Sequence, residues 1–371
     1  MSDAPILFEE VAAATGKLAR VTLNVPATLN SLTLEMVDLL QAQLDKWRGD
    51  DQVGAIFIEG SGEKAFCAGG DVQALHASAT ATPGGPCDYA ESFFTREYRL
   101  NYTLHTYPKP VICWGHGIVM GGGLGVMAGC SHRVVTEATR IAMPEVTIAL
   151  FPDVGGSWFL NHMPGKSGHF LALTGASIRA AEALYPGLAA RFIASEHRDA
   201  VLAGLRQPQW SEAAETNHGL VRHVLRPIAE ESIGSCPAGQ VEPHMGTIAR
   251  LCDGDNVHQV INNIISQQTD DPWLAKARDS LAHGSKLAAL WIERQLFETR
   301  HASLKEVFQA EIQLATNIVR HPEFAEGVRA LLIDKDRSPA WQYGASRDVP
   351  DEVLEGFFRA PWDENPLADL N

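Results

Sequence analysis

The spacing of apolar residues in the first part of the chain alternates between the periods of strands and helices. Residues 18–25 alternate as a strand does, with Val21 and Leu23 on one face, and residues 53–59 predict a second strand. Between them a stripe at helical spacing predicts a helix over residues 33–48 with a buried face of Met36, Val37, Leu40, Leu44 and Trp47. This alternation is typical of α/β proteins.

Residues 111–158 concentrate most of the candidate chemistry. Residues 111–114 predict a buried strand, and Gly121, Gly122 and Gly123 follow it. Consecutive glycines weaken a helix interior, but in a first turn their free N–H groups point outward and a ligand can come close. A tight strand-to-helix crossing is the structural alternative. The pattern G-x-G-x-x-A at residues 123–128 also fits a dinucleotide fingerprint, but it neither follows a strand directly nor opens its domain.

Two carboxylates in this stretch directly follow prolines. Glu145 follows Pro144, Asp153 follows Pro152, and apolar residues flank both. Apolar surroundings raise the pKa of a carboxyl group, which suits general acid–base chemistry. The structural alternatives are a helix N-cap for Asp153 and a first-turn glutamate for Glu145, and spacing alone leaves them open.

A second glycine turn lies at residues 64–71, which read KAFCAGGD. A strand, a glycine turn and a helix beginning at Val72 again place free N–H groups at a helix entrance. Asp71 is predicted to be the N-cap, so the backbone at Ala68, Gly69 and Gly70 is the functional element. Residues 74–88, rich in Ala, Thr, Gly and Pro, predict a mobile loop that could cover the site. Residues 91–106 predict a helix that carries Glu97.

Composition narrows the class of protein. The chain has 371 residues, of which 45% are hydrophobic and 20% charged, as in ordinary globular proteins. Its net charge of −15 disfavours nucleic acid and anionic membranes as partners. The six cysteines form no CxxC pair and the 14 histidines no HExxH motif, so neither a disulfide framework nor a metal site is predicted.

The remaining signals concern location and domain organisation. No apolar run approaches the roughly 20 residues of a membrane span, and the N-terminus resembles neither a signal nor a transit peptide, so a cytoplasmic protein is expected. Beyond about residue 191 helical stripes replace strand signals. Residues 1–200 are therefore predicted to form a catalytic core and residues 201–371 a mainly helical region covering it, with residues 234–246 as the best internal boundary.

Four motifs in order give the chain a resemblance to a known family. They are KAFCAGGD (64–71), the triple glycine, MPE (143–145) and FPDVGG (151–156), and residues 326–341 extend the likeness. Together they resemble the crotonase (enoyl-CoA hydratase/isomerase) superfamily, and most closely its branch of 3-hydroxyisobutyryl-CoA hydrolases. The resemblance implies an α/β fold with a crotonase-like ββα spiral core and a helical C-terminal region. It also implies an acyl-CoA thioester as substrate.

The resemblance implies a role for the backbone of both glycine turns. The N–H groups of Gly70 and Gly122 would form an oxyanion hole for the thioester carbonyl. The neighbouring positions that would contact substrate are Ala68, Gly69, Asp71 and Gly121.

The resemblance also implies roles for side chains. Glu145 would attack the carbonyl or activate water, and Asp153 would position a substrate hydroxyl or assist proton transfer. Gly125 stands where hydratases carry a catalytic glutamate, whereas Asp153 matches an aspartate of the hydrolase branch. Glu97 resembles a further substrate-contacting glutamate. His116 is predicted either to touch substrate or to make a structural hydrogen bond.

The predicted function is hydrolysis of a short branched 3-hydroxyacyl-CoA to the free acid and CoA, as in valine degradation. No metal and no cofactor beyond the coenzyme A of the substrate is expected, because the two amides supply the positive potential. Candidates for the basic rim around the CoA phosphates are Lys64, Arg96, Arg99 and Lys109. A homo-oligomer, a trimer or a multiple of one, is expected from the superfamily. The alternatives are an enoyl-CoA hydratase or isomerase and a non-catalytic acyl-CoA-binding protein.

Overall fold

The computed structural model describes residues 4–371, which form two compact units. The first contains the described residues up to Gly70 together with Thr103–Ile141 and Ile178–Gly239, and the second contains Asp71–Tyr102, Ala142–Ser177 and Gln240–Asn371. The chain passes between them for the last time at Gly239, inside the boundary region that the sequence indicates. The predicted division into residues 1–200 and 201–371 separates two continuous segments, whereas each of these units combines several segments. That division stays a prediction.

The first unit is built around two sheets. The strands within the described residues are β1 (Ile6–Ala12), β2 (Lys17–Leu23), β3 (Val53–Gly60), β4 (Ala65–Cys67), β5 (Val111–Gly115), β6 (Ile118–Met120), β7 (His132–Val135), β8 (Arg140–Ala142) and β9 (Arg191–Phe192). The larger sheet has the order β1-β2-β3-β5-β7-β9 and is parallel except for the β1–β2 pair. The smaller sheet has the order β4-β6-β8.

Consecutive strands alternate between the two sheets. β3, β5 and β7 enter the larger sheet, and the strand after each of them, β4, β6 or β8, enters the smaller one. A chain that repeats this step winds into a spiral, which confirms the predicted ββα spiral and the α/β class. Every residue of β3 and β5 is buried, because parallel strands in such a fold are covered on both faces.

Helices make up most of the rest of the chain. They are α1 (Leu34–Arg48), α2 (Val72–Ala81), α3 (Asp88–His105), α4 (Gly122–Gly129), α5 (Gly156–Asn161), α6 (Ser167–Thr174), α7 (Ala180–Leu184), α8 (Arg198–Gly204), α9 (Ala214–Ser232), α10 (Val241–Leu251), α11 (Val257–Ser266), α12 (Pro272–His283), α13 (Lys286–Thr299), α14 (Leu304–Val319), α15 (Pro322–Val328) and α16 (Asp351–Phe357). The helices α10–α16 confirm the predicted helical C-terminal region. No helix within residues 4–371 is both long and apolar enough to cross a membrane.

Helix α1 shows how closely local pattern decides local structure. Thr33 is its N-cap and accepts a hydrogen bond from the Met36 amide at 3.2 Å. All five residues of the predicted stripe are buried. The hydrophobic core of the first unit forms on the larger sheet, where Phe57, Trp114 and Trp210 pack with residues of α8 and α9.

The predicted mobile loop over residues 74–88 is wrong. Helix α2 occupies residues 72–81, and Asp71 caps it by accepting the Ala74 N–H at 3.1 Å. Alanine is the best helix former, and four of the ten residues of α2 are alanine. The turn-forming residues Pro83, Gly84, Gly85 and Pro86 all lie beyond its end, so only residues 82–87 connect α2 to α3.

Candidate active site

Backbone hydrogen bonds hold the turn after β4 in place. Ala68 N–H donates to the Leu29 carbonyl at 3.0 Å, and the Gly69 carbonyl accepts from Leu32 N–H at 2.8 Å. Gly69 has a φ of +113°, which L side chains rarely adopt. A Cβ on Gly69 would lie 3.8 Å from the Gly122 nitrogen, so the two glycine turns run side by side within the first unit.

The triple glycine opens helix α4. Gly121 is the N-cap with a φ of 47°. A Cβ on Gly123 would lie 2.3 Å from the Cys67 carbonyl oxygen, so only glycine allows α4 to approach β4 this closely. The close-packed crossing that the sequence offers as the structural explanation is therefore present. It does not account for the amide of Gly122, which points out of the first turn.

The amides of Gly70 and Gly122 are both unpartnered. Neither N–H donates a hydrogen bond to another atom of residues 4–371. Two unsatisfied amides on adjacent turns can bind one oxygen that carries negative charge, because they are oriented before the charge develops. The geometry thus suits the predicted oxyanion hole, whose role stays a prediction.

Asn30 holds the loop that hydrogen-bonds to the glycine turn at residues 68–70. Its side chain is fully buried, accepts the Val25 N–H at 2.9 Å and donates to the carbonyls of Ser61 and Ala65 at 3.0 Å each. These bonds tie the turn after β2 to the ends of β3 and β4. Sequence reasoning reads Asn30 only as a turn residue, because its partners are about thirty residues away.

Three of the predicted carboxylates lie together in the second unit. Glu97 is on α3, Glu145 begins the 3₁₀ turn Glu145–Ile148 and Asp153 lies in the segment before α5, with exposures of 2%, 5% and 4%. Burial raises the pKa of all three, and to about 7 for Asp153. Repulsion from Asp153 raises the pKa of Glu145 further, and repulsion from both others does so for Glu97.

Asp153 does not cap a helix. Helix α5 begins at Gly156 with Gly155 as its N-cap, and the carboxylate of Glu311 on α14 serves its first turn. Gly155 N–H donates to Oε2 of Glu311 at 2.7 Å, and Ser157 N–H donates to Oε1 at 2.9 Å. The interpretation of Asp153 as a helix N-cap is therefore wrong. The carboxyl group of Asp153 is not used to cap α5.

Tyr98 supplies the hydrogen bond that Asp153 does receive. Its phenol O–H donates to Oδ2 of Asp153 at 2.7 Å, and both groups are buried. The bond stabilises the charged carboxylate and so lowers the pKa of Asp153 against the larger effect of burial. Phe94 and Phe308 pack against the Tyr98 ring at centroid distances of 5.7 and 6.0 Å.

The two glutamates keep unpartnered oxygens. Oε1 of Glu97 and Oε2 of Glu145 are buried and have no hydrogen-bond partner among residues 4–371. A buried polar atom without a partner costs about 1–3 kcal/mol. Such atoms are uncommon in folded proteins, and a bound ligand or water is one way in which their bonding is completed.

His116 and the remaining predicted substrate contacts have no tested role. His116 makes a 2.9 Å hydrogen bond from Nε2 to the Gly62 carbonyl oxygen, which is the structural kind of bond weighed above. Its contact with substrate stays a prediction, as do those of Ala68, Gly69, Asp71 and Gly121. Within residues 4–371, no group of three or more His, Cys, Asp or Glu side chains could hold a metal ion.

The side chains of Lys109 and Arg99 bind other groups of the protein. Lys109 donates to the carbonyls of Trp47 and Asp50 at 2.6 Å each, where it caps the end of α1. Arg99 forms a two-point ion pair with Asp369 at 2.7 and 3.0 Å. Lys64 and Arg96 are exposed and stay candidates for the phosphate rim.

Comparison with known proteins identifies the class to which this fold and site belong. The sequence profile of the enoyl-CoA hydratase/isomerase family matches residues 18–358. The chain belongs to this family, the crotonase family.

Individual relatives refine the picture. The chain is 37% identical over 357 residues to the protein named mitochondrial 3-hydroxyisobutyryl-CoA hydrolase of Danio rerio, covering 95% of this chain and 89% of that protein. Among solved structures, a carnitinyl-CoA dehydratase of Mycobacterium thermoresistibile has a TM-score of 0.85 at 32% identity, covering 98% of each chain. An enoyl-CoA hydratase of Rhodobacter sphaeroides 2.4.1 has a TM-score of 0.82 at 31% identity, covering 96% of this chain and 98% of the other.

Proposed function

We propose that this protein hydrolyses the thioester of a short branched 3-hydroxyacyl-CoA, such as 3-hydroxyisobutyryl-CoA, to the free acid and coenzyme A. The proposal rests mainly on the position of Asp153. Its carboxyl group is buried near Glu145 and does not cap α5, because Glu311 accepts the N–H groups of the first turn. Gly125, at the position of the hydratase glutamate, has no side chain to offer. The names of relatives such as the Danio rerio hydrolase support the same reaction and substrate.

The Gly70 and Gly122 amides would stabilise the developing charge. When a nucleophile attacks the thioester carbon, the carbonyl oxygen becomes an oxyanion and accepts hydrogen bonds from both N–H groups. One such donor is worth about 10²–10³ in rate. The reaction needs no group beyond these amides for that purpose.

Glu145 would provide or activate the nucleophile. In one route its carboxylate attacks the carbonyl carbon, the C–S bond breaks, and water then hydrolyses the resulting acyl anhydride. In the other it takes a proton from a water molecule that attacks directly. Both routes end with the free acid and coenzyme A, and general-base help of this kind is worth about 10²–10⁴ in rate.

Asp153 would donate a proton to the departing thiolate. Its pKa of about 7 lets both protonation states occur near neutral pH, so the carboxyl group can give a proton to the departing thiolate and recover it from water. The Tyr98 hydrogen bond fixes its orientation. Glu97 would contact the acyl group.

The proposal is tested by following free thiol released from 3-hydroxyisobutyryl-CoA. Wild-type protein should release thiol in proportion to acid formed, and Glu145→Gln should bind the ester without turning it over. Full activity in Glu145→Gln would remove Glu145 from the mechanism. Binding without thiol release by the wild type would contradict the proposed activity.

Hydration or isomerisation of an enoyl-CoA is the second candidate. Two similar solved structures are named as an enoyl-CoA hydratase and a carnitinyl-CoA dehydratase, which favours chemistry of this kind. Asp153 would then substitute for the glutamate that Gly125 replaces. A hydratase would remove the double bond of crotonyl-CoA without liberating thiol.

Location, pathway and assembly complete the proposal. We place the reaction in valine degradation, where a 3-hydroxyisobutyryl thioester would be the substrate. A cytoplasmic location is proposed from the sequence, although the Danio rerio relative is named as mitochondrial. A trimer or a multiple of one is proposed from the superfamily, and light scattering of purified protein would test it.

A further inference from the structure

Asn101 is a buried amide side chain without a hydrogen-bond partner. It lies on α3 with 0% exposure. Neither Oδ1 nor Nδ2 bonds to any atom of residues 4–371. An unsatisfied buried polar group destabilises the folded state, so packing alone gives no reason for an amide at this position.

Other buried asparagines in this chain are fully engaged. Asn30 makes three bonds, described above, and holds a loop. Asn217, 3% exposed, accepts from Ser211 N–H at 2.9 Å and donates to the Ser211 carbonyl at 2.7 Å. Asn101 differs from both, because its donor and its acceptor are both unused.

The position of Asn101 on α3 brings it next to the carboxylate cluster. It follows Glu97 by four residues, and side chains at this spacing lie on one helix face with Cβ atoms about 5–6 Å apart. Oε1 of Glu97 is unpartnered as well. Tyr98, three residues before Asn101, reaches Asp153. One face of α3 therefore carries an unused amide beside an unused carboxylate oxygen.

We propose that Asn101 is a specificity-determining residue that recognises a hydroxyl group on the acyl chain of the substrate. An alcohol both donates and accepts a hydrogen bond. Asn101 Nδ2 would donate a hydrogen bond to the hydroxyl oxygen, and the hydroxyl O–H would donate a hydrogen bond to Oε1 of Glu97. A methyl group at the same place would leave both protein groups unpaired. This inference rests on the proposed hydrolysis of a hydroxyacyl thioester and names the residue that selects the hydroxyl.

Kinetics on two esters test the selection. Wild type and Asn101→Leu, in which a side chain of similar size and higher helix propensity replaces the amide, are compared on 3-hydroxyisobutyryl-CoA and isobutyryl-CoA. Loss of one hydrogen bond to the hydroxyl should lower kcat/KM for the hydroxy ester about 10–100-fold. The value for isobutyryl-CoA should stay within about threefold. Equal losses on both esters would overturn the inference.

Binding separates this inference from the proposed reaction. Non-hydrolysable thioether analogues of the two esters, measured by calorimetry, report recognition without turnover. Wild type should prefer the hydroxylated analogue, and Asn101→Leu should lose that preference. If the wild type hydrolyses neither ester but the preference still depends on Asn101, the proposed function fails and the recognition stands. If hydrolysis occurs and the variant keeps the preference, the recognition fails alone.

Asn217→Leu is the matched control for a structural amide. It removes a buried asparagine that is fully hydrogen-bonded, so its Tm should fall while preference for the hydroxylated analogue stays unchanged. Asn101→Leu removes two unpartnered atoms, so its Tm should stay the same or rise. A fall in Tm as large as that of Asn217→Leu would show that Asn101 serves the fold and would overturn the inference.

Discussion

The phenol of Tyr98 donates a 2.7 Å hydrogen bond to Oδ2 of Asp153, and both side chains are buried. Burial favours the protonated carboxyl group and the phenol favours the charged one. The balance leaves the pKa of Asp153 at about 7, where a group can both take and give a proton near neutral pH. In the proposed mechanism Tyr98 is a positioning residue, and its effect should be visible in a pH profile.

Tyr98→Phe should move the pH dependence of hydrolysis. Removing the donor leaves the charged carboxylate less stable, so the pKa of Asp153 rises above about 7. A hydrogen bond to a charged group is worth about 1.5–3 kcal/mol, which corresponds to about one to two pH units. The limb of the kcat/KM profile near pH 7 should shift upward by that amount.

Tyr102→Phe is the control for this shift. Tyr102 lies on the same helix and packs on the same Phe308 ring, but its O–H donates to the Asn371 carbonyl at 3.1 Å. Its profile should match that of the wild type. If the limb of the kcat/KM profile near pH 7 did not shift in Tyr98→Phe, the ionisation of Asp153 would not be the cause of that limb.

Asp153→Asn and Glu311→Gln should separate catalysis from capping. Asp153→Asn should lower hydrolysis at least about 10²-fold with little change in Tm, because no backbone N–H depends on its side chain for a cap. Glu311→Gln places an amide NH₂ against the Gly155 or Ser157 N–H and should cost about 1–3 kcal/mol of stability. Free-thiol assays and calorimetric melts measure the two effects. A larger loss of Tm in Asp153→Asn than in Glu311→Gln would reverse the assignment.

The buried carboxyl groups should make stability fall with rising pH. The pKa of Glu311 is raised to about 8 in the folded protein, and that of Glu145 is raised from an ordinary 4.5. A raised folded pKa means that the stability it confers is present below the unfolded pKa and lost as pH rises through the folded pKa. The free energy of unfolding should therefore decrease between about pH 4.5 and 8.

Glu145→Gln should remove part of that decrease. The neutral amide has no charge to bury, so Tm should equal the wild-type value near pH 5 and exceed it at pH 8. Each unit of pKa shift is worth about 1.4 kcal/mol. Glu59→Gln is the control, because Glu59 is buried but paired with Arg20 and Arg198 at 2.7 Å each, and it should lower Tm at pH 8. A Glu145→Gln protein less stable than wild type at pH 8 would contradict the account.

Gly123→Ala should disturb the predicted oxyanion hole without touching its amides. The new Cβ would lie 2.3 Å from the Cys67 carbonyl, so the start of α4, which carries Gly122, must move. Overpacking of this kind costs about 1–3 kcal/mol. Displacing one oxyanion donor costs about 10²–10³ in kcat. Both are measurable by melts and free-thiol assays.

Gly246→Ala is the matched control within a helix. Gly246 lies inside α10, where a Cβ would meet nothing within 4 Å, so alanine should leave activity unchanged and add about 0.5–1 kcal/mol of stability. If Gly123→Ala kept full activity, the position of Gly122 would not limit the rate.

Elements decided by neighbouring residues are predictable from this sequence. The α1 stripe, the β5 strand, the Asp71 cap and the opening of α4 at the triple glycine all follow from local spacing and local turn chemistry. The prediction of a loop over residues 74–88 fails because the turn-forming Gly and Pro residues lie only at its end. The alanines at its beginning and the Asp71 cap favour the helix α2.

Hydrogen-bond partners that lie far apart in the chain cannot be predicted from local sequence patterns. Glu311 caps a helix about 155 residues before it, and nothing near Asp153 in the sequence shows that its capping position is taken. In the sequence Tyr98 and Asn101 are only two of the many polar residues of α3. The importance of Tyr98 depends on its bond to Asp153, and that of Asn101 on Glu97 and on its having no partner within residues 4–371. Only the folded chain reveals these relationships.

Parallel assays on 3-hydroxyisobutyryl-CoA and crotonyl-CoA test the central claim most directly. The account predicts thiol release from the hydroxy ester and no loss of enoyl absorbance from crotonyl-CoA. Loss of enoyl absorbance without thiol release from either ester would contradict it, because Asp153 would then be serving hydration in place of the missing glutamate at Gly125.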